Sequence, residues 1–148
     1  MFDSYRAPRV RIRFICHLFV LLSGESLVRS YIEIYGPPLL KAINALEAVA
    51  VDVSGAVDIK FSHRCMPAYI GAGGQQRDWD EYLQRMKETY VNCYEPMRLI
   101  SESGEMRGNY DFFYEWTNDP TMEQIKDLIE KIDKALTGLG CNYTITTE

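Results

Sequence analysis

Hydrophobic and polar positions along this chain follow two periods, and the changes of period mark its elements. Val10-Arg-Ile-Arg-Phe14 alternates apolar and charged residues, the two-residue period of a strand. Leu18 to Leu22 is continuously apolar, as expected where a strand becomes buried on both faces. A first strand is therefore predicted over Val10 to Leu22, ended by Ser23-Gly24. Leu27, Tyr31 and Ile34 then recur at helical spacing, which predicts a helix from Glu25 to Tyr35. Gly36-Pro37-Pro38 interrupts it. Proline suits a first turn, so a second helix opens there, with Leu39, Ile43, Leu46 and Val49 along one face. Val49 to Val53 reads equally as helix or short strand, and Ser54-Gly55 stops either.

Val57-Asp-Ile-Lys-Phe61 alternates cleanly and predicts a second strand running toward His63-Arg64-Cys65. Met66 to Gln76 carries Pro67 and three glycines and reads as a loop. Asp78 is the expected cap of a helix from Trp79 to about Glu95, with Asp80 and Glu81 favoured in its first turn by the helix dipole. Ser101 to Arg107 is a polar connection. Gly108 to Trp116 then reads as a strand, with Tyr110, Phe112, Tyr114 and Trp116 on one face and Asn109, Asp111, Phe113 and Glu115 on the other. Asp119-Pro120 opens a helix ending at Thr137, whose stripe of Ile125, Leu128, Ile129, Ile132 and Leu136 predicts a buried face. Cys141 to Thr147 closes the chain as a last strand.

This order gives two strand–helix–strand halves joined by an extra helix, in a single domain spanning residues 1–148. It predicts an α+β ferredoxin-like sandwich, a four-stranded antiparallel sheet with helices on one face. A small α/β fold with a mostly parallel sheet is the alternative, because alternating elements also permit it.

Composition changes this picture little. With 148 residues, 47% of them hydrophobic, the chain can bury a core without staples. A net charge of -5 disfavours nucleic acid as a partner, although Arg6, Arg9, Arg11 and Arg13 cluster locally. The apolar run Phe14 to Leu22 behind those arginines superficially resembles a signal peptide, but it contains His17 and leads into Ser23-Gly-Glu-Ser rather than a small-x-small cleavage site. No stretch approaches the ~20 apolar residues of a membrane span. Cys16, Cys65, Cys93 and Cys141 are dispersed without a C-x-x-C pair, as in a cytoplasmic protein with reduced thiols.

Three places could carry chemistry. His63 and Cys65 share one face of a strand, so an imidazole could activate a thiol, although no sequence signal marks a third group to orient the base. Neither a cofactor nor a metal is called for, because a structural zinc site needs four ligands and no spacing supplies them. The loop holding Gly71, Gly73 and Gly74 leads into Arg77 and a helix start, where backbone N–H groups could hold a small anion. Phe113, with its aromatic neighbours, marks a sheet face that could bury against a second copy of the chain. The expectation is a non-catalytic binding or assembly module that dimerises through its sheet and takes a small anionic ligand. The alternative is a small enzyme built on His63 and Cys65.

Overall fold

The computed structural model describes residues 12–14, 27–66, 76–90, 96–102 and 106–148. Its strands are β1 (Ile12–Phe14), β2 (Val28–Tyr35), β3 (Ile59–His63), β4 (Phe112–Trp116) and β5 (Asn142–Thr147). Its helices are α1 (Leu39–Ser54), α2 (Gln76–Thr89), the single turn α3 (Pro96–Leu99) and α4 (Met122–Thr137). The strands form one sheet in the order β1-β5-β2-β4-β3. β5, β2, β4 and β3 pair antiparallel, and β1 joins the β5 edge in parallel. The class is α+β. The alternative of a mostly parallel sheet is corrected, because each of the three central pairings is antiparallel.

The helix predicted over Glu25 to Tyr35 is also corrected: Val28–Tyr35 is a central strand, hydrogen-bonded to β4 on one side and β5 on the other. Its helical spacing came from three residues, but the same stretch alternates Val28, Ser30, Ile32, Ile34 against Arg29, Tyr31, Glu33, Tyr35. Branched and aromatic side chains with that alternation fit a pleated, two-sided environment. Ser30, polar yet fully buried, accepts the indole N–H of Trp116 at 2.9 Å and lies 2.9 Å from the Thr147 hydroxyl. Gly36, at a φ of 91°, then turns the chain out of the sheet, a conformation that side chains with a Cβ resist.

The ambiguity after Val49 resolves as helix: α1 runs to Ser54 and is capped by Gly55. Val49, Ala50, Val51 and Val53 are all buried in it. α1 and α4 lie side by side over one sheet face, closing a core around Ile32, Phe61, Phe112, Leu46 and Leu128. Two tyrosines fasten the layers. Tyr114 donates to the Leu46 carbonyl at 2.8 Å, and Tyr143 donates to Asp133 at 2.6 Å. α4 starts at a capping box in which Thr121 and Gln124 satisfy each other's backbone N–H groups. The predicted first strand extends beyond β1 into residues 15–22, outside the described ones.

The opposite sheet face is not the open apolar surface expected around Phe113. That ring is 0% exposed. The Arg29 guanidinium lies over it at 4.8 Å, and Tyr31 packs beside it at 5.7 Å. Arg29 in turn pairs with buried Glu115 at 2.9 Å, and Ser101 donates to the same carboxylate at 3.0 Å. Within the chain, Phe113 is covered by Arg29 and Tyr31.

Candidate functional site

α1 places a carboxylate where its periodicity predicts an apolar residue. Ile43, Leu46 and Ala50 face the core, and Glu47 falls within the same stripe at 0% exposure. A buried charge persists only with partners, and Glu47 has several. His63, the last residue of β3, brings Nε2 to 2.7 Å from Oε1. Tyr82 of α2 donates to Oε1 at 3.1 Å, and its hydroxyl is 3.3 Å from His63 Nε2. Arg85, one turn further along α2, donates to both carboxylate oxygens at 3.2 and 3.3 Å, and to Asn44 Oδ1 at 3.1 Å.

Electrostatics follow from this geometry. Burial pushes the Glu47 carboxyl up, but hydrogen bonds from His63 and Arg85 outweigh it and hold the group below its ordinary value. Glu47 is therefore a carboxylate that only accepts, and the proton in the 2.7 Å bond resides on His63 Nε2. Burial, reinforced by the Glu47 charge, pushes the Tyr82 phenol far up, so it keeps its proton. The same two causes raise Tyr90 to about 12. The His63 ring packs beside Phe61 and Phe112, near-parallel to both with centroids at 6.1 and 5.8 Å, and meets Tyr82 edge-on at 5.8 Å. Its Nδ1 is buried without a hydrogen-bond partner.

An open groove of about 570 Å³ lies over this cluster. α1 contributes Leu40, Ile43 and Asn44, and α2 contributes Glu81, Tyr82 and Arg85. His63 and Cys65 both border it. The structure thus brings together the His63 and Cys65 that the sequence singled out, but not as a strand-face pair. β3 ends at His63, and Cys65 is exposed in the turn beyond. Partial burial of this otherwise exposed side chain, then the charges of Asp111 and Glu47, push the Cys65 thiol up rather than toward thiolate. No group of three or more metal-ligating side chains occurs among the described residues.

Gly71, Gly73 and Gly74 lie outside the described residues. Arg77 falls in the first turn of α2, which starts at Gln76 rather than at Trp79 as predicted. Cys16, His17 and Cys93 also lie outside. Sequence reasoning missed Glu47, Tyr82 and Arg85. The available signal was Glu47 itself, a charge within an apolar helical stripe. Comparison with protein families, with curated proteins and with solved structures gave no match.

Proposed function

We propose that this chain is a ferredoxin-like domain acting as a non-catalytic binding module, with the groove between α1 and α2 as its contact surface. The order β2–α1–β3–β4–α4–β5 and the sheet order β5-β2-β4-β3 support the fold name, with β1 and the α2–α3 segment as additions. A reducing, cytoplasmic setting suits the free thiols of Cys65 and Cys141.

The observation that carries the functional reading is the closure of the polar cluster. The Glu47 carboxylate is used up by donors from His63, Tyr82 and Arg85. Tyr82 and Cys65 are both shifted toward keeping their protons. A general acid or base needs a proton it can exchange near the working pH, and these three groups do not offer one. The cluster instead fastens α2 to α1 and β3, shaping the groove above it.

A small enzyme is the second reading, favoured by one feature: Glu47 supplies the orienting carboxylate that a Cys/His pair requires. Alkylation with iodoacetamide at pH 7 separates the two. The binding reading expects Cys65 to react no faster than the thiol of a short unstructured peptide. Reaction roughly tenfold faster or more, lost in folded His63→Gln, would establish the enzyme reading instead.

A further inference from the structure

α2 is joined to the molecule differently from the other long helices. α1 and α4 pack closely on each other, and α1 packs on the sheet. Among the described elements, the close backbone neighbour of α2 is the short α3, so α1 and β3 are reached by long side chains. Trp79, Tyr82 and Met86, at helical spacing, are its buried residues among those described. Polar ties converge on one turn of α1. Tyr82 donates to Glu47, Arg85 donates to Glu47 and to Asn44, and Tyr90, just past α2, donates to the Asn44 carbonyl at 3.3 Å. The Arg85 guanidinium also lies over the Tyr82 ring at 5.0 Å. Two routes return the buried Glu47 carboxylate to water: unfolding of the whole chain, or departure of α2 alone. The second gives up the burial of Trp79, Tyr82 and Met86 but keeps the sheet ladders, the α1–α4 core and the 2.7 Å bond from His63. It is therefore the cheaper opening. A docked Arg85 matches the carboxylate and opposes that departure; without it, hydration of Glu47 favours it.

We propose that α2 is a detachable wall of the groove. It undocks as a unit while the sheet, α1 and α4 stay folded, and the Arg85–Glu47 pair is the latch that sets how often. The proposal rests on the binding reading above and adds its regulation. Glu81, Tyr82 and Arg85 form the α2 side of the groove, so the contact surface exists only while α2 is docked. By linkage, an occupant that touches both walls shifts α2 further toward the docked state.

Native-state amide hydrogen exchange of the whole chain, at neutral pH in low urea, tests this. The amides from Asp80 to Thr89 are expected to exchange as one group, roughly a hundredfold faster than those of β2 and β4 and with a shallower urea dependence, because less surface is exposed. Arg85→Met should speed that group roughly tenfold or more. Leu128→Ala in the α4 stripe destabilises the docked and undocked states alike. It should speed β2 and β4 roughly a hundredfold and leave the α2 group within about twofold. Ile132→Val, a smaller truncation in the same stripe, asks the same question with an effect of roughly several-fold if Leu128→Ala leaves too little folded chain. Acceleration of the α2 amides together with the strands in either core variant would mean that α2 opens only with the whole fold, and would overturn the proposal. An α2 group unmoved by Arg85→Met would overturn it too. Neither result touches the binding reading, which Cys65 alkylation decides separately.

Discussion

Glu47 sets the expectations at the scale of single residues. Removing one partner of a buried ion pair leaves the others unmatched, so Glu47→Ala should destabilise the fold by about 3 kcal/mol in urea titration. Tyr82→Phe removes one donor and keeps the ring, so it should cost only about 1 kcal/mol. The pH dependence has a definite sign. The Glu47 carboxyl is held below 4.5 in the folded chain, so the unfolded chain takes up that proton first as pH falls. The stability it contributes is present above pH 4.5 and lost as pH drops through the lower folded value. Glu47→Gln should abolish that part of the acid slope, measured as unfolding free energy against pH. A variant with an unchanged slope would mean that other carboxylates carry it. The sequence exposed Glu47 only as a charge in an apolar stripe. Its partners lie 16, 35 and 38 residues away, at His63, Tyr82 and Arg85, beyond the reach of any local pattern.

At the scale of elements, the stripe and the end of α4 were legible, but its cap lies two residues past the predicted Asp119. Its stripe is apolar over more than three turns, its cap is Thr121 with Gln124, and its end is marked by Gly138. Thr121→Ala should lower stability by about 1 kcal/mol, and Leu128→Ala, at a fully buried position, by about 3 kcal/mol; both can be read from thermal unfolding. β2 was misread for a physical reason. A short segment with three apolar residues at helical spacing also satisfies strand alternation, and only its neighbours decide between them. Ser30 made the helical reading easier, because a buried serine hides the alternation. Its hydroxyl is accommodated by Trp116 and Thr147, two residues from other strands.

Across the whole molecule, β2 and β4 are each paired on both sides, whereas β3 is bordered, among the described residues, by β4 and a single bridge from Phe61 to Ile100. Amides of β2 and β4 are therefore expected to exchange with deuterium last, and those of β3 earlier. Faster exchange in β2 than in β3 would count against this sheet order. The alternation of strands and helices pointed to the right class, although the strand that opens the first half is Val28–Tyr35 rather than Val10 to Leu22.

By itself, the sequence determined the elements whose signal is local: the α4 stripe, the alternation of β3 and β4, and the break at Gly36 to Pro38. Periodicity and turn chemistry act over a few residues, so they are written in neighbouring positions. Only the tertiary structure decided that Phe113 is sealed beneath Arg29 and Tyr31, that His63 answers to Glu47, and that α2 lies across a groove from Leu40. Those outcomes depend on which surfaces meet once the sheet is ordered, and chain spacing carries no record of that until the long-range pairings form.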